Sequence, residues 1–144
     1  MSLAVIGVEA SYEFRWRTWA LLRDVIVANL DEATVETFAS LGDALVNGSM
    51  RVDAKALAAD IALIREWLVG KPFEALVIGP RTSAIVHMTS MANTRRPLSR
   101  REIENIRPIA DSKDLAEYFA VMLDSLERVS GKPQADGTIE VIDG

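Results

Sequence analysis

The chain has no cysteine among its 144 residues. This absence excludes disulfide bonds, zinc sites built on thiolates and cysteine nucleophiles. Because no disulfide has to form, nothing in the sequence requires an oxidising compartment. We therefore expect the protein in the cytoplasm.

Long hydrophobic runs are also missing. Charged residues interrupt every segment before about 20 apolar residues accumulate, the length that a membrane-spanning helix needs. The apolar run from Leu3 to Val8 has no basic residue before it and is followed by Glu9 and Glu13, unlike a signal peptide. We expect neither an export signal nor a membrane-spanning segment.

Residues and motifs that carry catalysis are scarce. His87 is the single histidine and lies between Val86 and Met88 in a predicted helix. A core position is favoured for it, because a general base usually needs an orienting partner and a metal needs several ligands. The serine-hydrolase motif G-x-S-x-G and the phosphate-binding motifs G-x-x-x-x-G-K and G-x-G-x-x-G do not occur. We expect no enzymatic activity and no metal or organic cofactor.

Carboxylates, in contrast, are numerous. Asp114 and Glu117, and likewise Asp124 and Glu127, form pairs spaced three residues apart near the end of the chain. All-helical magnesium-dependent hydrolases use paired acids, so a carboxylate-dependent metal hydrolase is a third functional hypothesis. Most of these acids fall opposite the apolar stripe of their helix, and this position favours an ordinary solvated face.

The composition is that of a globular protein, with 49% apolar and 26% charged residues. The length predicts one domain, residues 1–144. Apolar periodicity predicts a mainly α fold: a single-domain helical bundle with a small sheet from short terminal strands. The predicted helices cover residues 11–30, 33–47, 54–69, 80–92, 100–106 and 112–130.

Two helices carry clear boundary signals. Asp53 can cap the helix that ends at Gly70. Asp111 can cap the last helix, whose predicted core positions are Leu115, Phe119, Met122 and Leu126. Short strands are predicted at the start of the chain, at 74–78 and at 138–142. The terminal strands are expected to pair with each other, because a lone strand leaves its backbone groups unsatisfied.

Positive charge is concentrated in one segment. Residues 81–107 carry a net charge of +4 and the remainder −9. The anion-binding candidates in this segment are Arg95, Arg96, Arg100 and Arg101.

The run L-S-R-R-E-I-E-N-I from Leu98 to Ile106 resembles the opening of LuxR-type helix-turn-helix domains. The run S-K-D-L-A-E-Y-F from Ser112 to Phe119 resembles the next helix of that family. The resemblance implies DNA binding. That family also needs a turn and a separate recognition helix, whereas the last apolar pattern continues to Val129, so a shared capping-box pattern accounts for the likeness.

Two functional hypotheses lead. The first is a small acidic protein-binding module that masks a basic protein partner, as bacterial immunity and antitoxin proteins do, a resemblance of size and charge. Its expected partner surface is Asp114, Glu117, Asp124 and Glu127. The second is a regulator that binds nucleic acid or another polyanion through residues 95–107. The two hypotheses differ in which charged patch, the acidic or the basic one, is contiguous in space.

Overall fold

A four-stranded antiparallel sheet forms one layer of the fold. The computed structural model describes residues 2–72, 75, 77–78, 96–97 and 112–144, with the backbone alone at 77–78 and 96–97. The strands are β1 (Ser2–Ile6), β2 (Ser11–Arg15), β3 (Ser49–Asp53) and, near the end of the chain, β6 (Thr138–Asp143). Their order in the sheet is β2-β1-β6-β3. The prediction of a mainly α fold, a helical bundle with only a small sheet from short terminal strands, is therefore wrong, because the fold is mixed α/β.

The two faces of this sheet follow from its register. Leu3 pairs with Phe14 across β1 and β2, and Val52 pairs with Ile139 across β3 and β6. Side chains alternate between faces along a strand, so these four lie on one face, where all are buried. Arg51 and its cross-strand neighbour Glu140 lie on the opposite face.

Helices form the second layer, packed against the buried face and against one another. They are α1 (Trp16–Asn29), α2 (Glu36–Ser40), α3 (Ala44–Asn47), α4 (Ala54–Leu68) and α5 (Leu115–Ser130). The helix α5 contacts β1 and β2 and packs along α4. The helix α1 is central, because every residue from Trp19 to Ile26 is buried.

The predicted helix over 11–30 is wrong in its first turn. Ser11 to Arg15 form β2, and the helix begins only at Trp16. Tyr12 and Phe14 point to the same face of the strand and stack at 5.8 Å between ring centroids. The spacing of Tyr12 and Trp16 also fits a helix. Backbone pairing with β1 decides the conformation instead, and the spacing of apolar residues gives no information about such a pairing.

The predicted helix over 33–47 is broken into four short pieces. A 3-10 turn (Glu32–Val35) precedes α2, and a second 3-10 turn (Leu41–Asp43) separates α2 from α3. Buried side chains of other helices bind the backbone of α2. Trp19 Nε1 donates to the Phe38 carbonyl (3.0 Å), and Arg23 Nε donates to the Ala39 carbonyl (3.2 Å). The Phe38 amide in turn donates to Asp60 Oδ2 (3.0 Å).

The other strong helix predictions are confirmed. Asp53 caps α4 by accepting from the Ala56 amide at 2.9 Å. The last helix begins at Leu115 rather than near 112, and its cap is Asp114, which accepts from the Glu117 amide. Asp111 lies outside the described residues. The predicted core positions Leu115, Phe119, Met122 and Leu126 are all buried.

The terminal strands pair with each other as expected, with Leu3 opposite Asp143 and Ile6 opposite Glu140. The strand β3 is not predicted by the sequence. The expected strand at 74–78 is present as β4 (Val77–Ile78), paired with β5 (Arg96–Pro97). The predicted helices 80–92 and 100–106 lie outside the described residues.

A first prediction concerns Gly7, which follows β1. A Cβ atom built on Gly7 would lie 2.2 Å from the Lys132 carbonyl oxygen, and the neighbouring Val8 amide donates to that same oxygen at 2.7 Å. Gly7→Ala should therefore lower the free energy of unfolding by roughly 1–3 kcal/mol, the usual cost of overpacking. Urea denaturation would measure it.

Gly131→Ala is the matched control for that experiment. Gly131 has φ −76° and room for a Cβ, whose nearest neighbour would lie at 3.5 Å. Alanine should be neutral or stabilising by about 0.4–1 kcal/mol here. Equal losses in the two variants would contradict the close approach at Gly7.

A second prediction concerns Asp60. Burial raises the pKa of this carboxyl above 3.8, although the Phe38 and Thr37 amides act in the opposite direction. The folded state then binds more protons than the unfolded chain, so Asp60 makes stability decline as the pH rises from about 3.8 through the raised pKa. Urea denaturation at several pH values should show that Asp60→Asn lacks this decline.

Asp60→Ala serves as the comparison for the hydrogen bond. It leaves the buried Phe38 amide without its acceptor and should cost about 1–3 kcal/mol at neutral pH. Asparagine keeps an acceptor oxygen and should cost less. A wild-type pH dependence in Asp60→Asn would exclude Asp60 as its source.

Candidate functional site

The candidate site lies where α4 and α5 run side by side in opposite directions. The Leu115 amide at the start of α5 donates to the Lys71 carbonyl just beyond α4. At the other end, the Ala54 amide at the start of α4 donates to the Gly137 carbonyl beyond α5. The end of α4 therefore lies beside the start of α5, and the long side chain of Arg65 extends from the last turn of α4 to Asp124 and Glu127 further along α5.

The four predicted partner-binding acids have different roles in the structure. Asp114 is the N-cap of α5, so its carboxylate already binds the helix end. Glu117 is exposed in the first turn. Asp124 lies seven residues further on, which is about two turns, so Glu117 and Asp124 share a face of α5. Glu127 lies one turn beyond Asp124, around the side of the helix that meets α4.

Arg65 joins the two later acids. Its Nη2 lies 2.6 Å from Asp124 Oδ1 and 2.9 Å from Glu127 Oε2. The Arg65 side chain is 34% exposed, whereas the two carboxylates are 65% and 61% exposed. Solvent screens contacts at this depth, so each bridge contributes at most about 1 kcal/mol to folding. Its larger effect is to hold both carboxylates in defined positions.

A groove of about 390 Å³ opens beside this double bridge. Its floor and walls carry three cations and two anions on one surface. The lining residues are Arg65, Asp124, Glu127, Arg128, Gly131 and Lys132.

A second groove, of about 460 Å³, meets the first at Arg128. The loop between β1 and β2 forms most of it, with Gly7, Glu9 and Ser11 among its lining residues. Arg128 Nη2 donates to the Ser11 carbonyl at 3.3 Å and so ties α5 to the start of β2. Glu9 adopts φ +55°, a left-handed conformation that is unusual for a residue other than glycine.

The combined charge of the two grooves is balanced. Arg65, Arg128 and Lys132 oppose Asp124 and Glu127 in the first groove, and Glu9 adds a third anion in the second. Glu117 lines neither groove and makes no ion pair within 4 Å in the described part of the chain, so it adds negative charge outside the grooves.

Sequence reasoning missed Arg65, Arg128, Lys132 and Glu9 as residues of this site. Arg65 precedes Asp124 by 59 positions, so no local spacing connects them. A basic residue in the last turn of a helix is also an ordinary feature, since it complements the helix dipole. Arg65 and Arg128 both occupy such positions and carry no distinguishing local signal.

The arginine candidates of the alternative hypothesis belong to a different part of the chain from this site. Arg95, Arg100 and Arg101 lie outside the described residues, as does His87. Arg96 is described by its backbone alone, in β5, opposite Ile78.

Within the described ranges, no three histidine or carboxylate side chains lie close enough together to hold a metal ion. The helices in the same ranges are all too short or too polar to span a membrane.

No family model, curated protein or solved structure matches this chain.

A third prediction concerns the backbone of Glu9. Glu9→Gly should be more stable than Glu9→Ala by about 1 kcal/mol, because glycine adopts positive φ without the steric cost that alanine retains. The pair of variants removes the same charge, so thermal or urea denaturation compares the backbone alone. Equal stabilities would show that the left-handed conformation at Glu9 carries no cost.

Proposed function

We propose that this protein is a protein-binding module that masks a basic protein partner through the acidic face of α5, in the manner of immunity and antitoxin proteins. The proposed contact residues are Asp114, Glu117, Asp124 and Glu127. The proposed location is the cytoplasm. The single observation that carries the proposal is the exposed acid pair Asp124 and Glu127, held in place by Arg65 beside an open groove.

Geometry supports this proposal in two ways. Asp124 uses Oδ1 and Glu127 uses Oε2 in the bridge to Arg65, so a partner's cation can approach the second oxygen of each carboxylate. Arg65 also restricts the rotamers of both acids before any partner binds. Immobilising a flexible side chain at an interface costs about 0.5–1.5 kcal/mol, and preorganisation reduces that cost.

Charge supports it as well. The chain has a net charge of −5, and Glu117 extends the acidic face two turns away from the groove. Exposed charges of one sign mainly raise the rate and specificity of association with an oppositely charged surface. Asp114 contributes to the same potential, although its carboxylate caps α5.

The regulator hypothesis remains the alternative, with Arg95, Arg96, Arg100 and Arg101 binding nucleic acid or another polyanion. It rests on the sequence alone, because the side chains concerned are not among those described. The binding experiment described next also tests this hypothesis.

The fourth prediction is a charge reversal. The partner is first captured from the native host with the wild-type chain and identified. Glu117→Lys with Asp124→Lys should then slow its association about tenfold or more, because the electrostatic attraction is reversed. The fold should persist, since exposed substitutions usually change stability by less than about 0.5 kcal/mol. Interferometry at two salt concentrations would measure the rates.

Asp43→Lys with Asp143→Lys is the matched control, because it changes the net charge equally. Both residues are exposed, and neither side chain forms an ion pair within 4 Å of another described residue. If both double variants slow association equally, the effect comes from the net charge and not from the acidic face of α5. Loss of binding only in Arg100→Glu with Arg101→Glu would favour the polyanion hypothesis.

The fifth prediction separates the ordering effect of Arg65 from its charge. Arg65→Met makes the surface more negative, so association with the captured partner should be equal or faster. Dissociation should be several-fold faster, because Asp124 and Glu127 lose the contact that orders them. The same rate measurements apply.

Arg65→Lys is the control for charge in that experiment. Lysine keeps the positive charge but lacks the planar fork of a guanidinium. Faster dissociation in both variants would identify geometry as the cause. Slower dissociation in Arg65→Met would instead show that Arg65 competes with the partner for the two carboxylates, and preorganisation would be rejected.

A further inference from the structure

We draw no further inference here: the strongest candidate, the N-terminus of α1 between Arg15 and Arg17, where no side chain caps the helix, is a helix end at which no second observation in the described residues points to a ligand.

Discussion

The need to satisfy buried backbone groups shapes the middle of this protein. Between residues 32 and 47 the chain turns too often for a continuous helix to pair its own amides and carbonyls. An unpaired buried backbone group costs free energy comparable to a lost hydrogen bond. Asp60 on α4 accepts from the Phe38 amide, and Arg23 on α1 donates to the Ala39 carbonyl. Trp19 on α1 donates to the Phe38 carbonyl, which also accepts from the Leu41 amide.

These contacts couple elements that are distant in sequence. Arg23 also bridges to Glu32 at 2.7 Å, so one buried guanidinium binds the segment at two points. Because the carboxylate of Asp60 is buried, its ionisation carries a cost, which the hydrogen bonds from the Phe38 and Thr37 amides offset in part. The position of α4 thereby depends on α2, and α4 carries Arg65 to the candidate site.

The sheet determines the other side of that site. Pairing of β1 with β6 brings both ends of the chain to the centre of the sheet. The loop that follows β1 then meets the end of α5, where the absence of a side chain at Gly7 permits the close approach to Lys132. Arg128 on α5 donates to the Ser11 carbonyl at the start of β2, and the two grooves meet at this residue.

Local sequence determined the elements that are stabilised within themselves. The helices α4 and α5 have long apolar stripes and capping acids, and both were predicted with nearly correct bounds. Pairing of the terminal strands was also predicted, because lone strands at the two ends need partners. The exposed positions of Glu117 and Asp124 follow from the same helical periodicity.

In two segments the tertiary structure alone decided the conformation, because contacts with residues distant in sequence outweigh the local apolar periodicity. Residues 11–15 became a strand because β1 pairs with them, and residues 33–47 broke into turns because three buried side chains bind their backbone. The charge of the acidic face was decided in the same way. Arg65 meets Asp124 only after α4 and α5 pack antiparallel, and that contact neutralises part of a surface whose full negative charge the sequence implied.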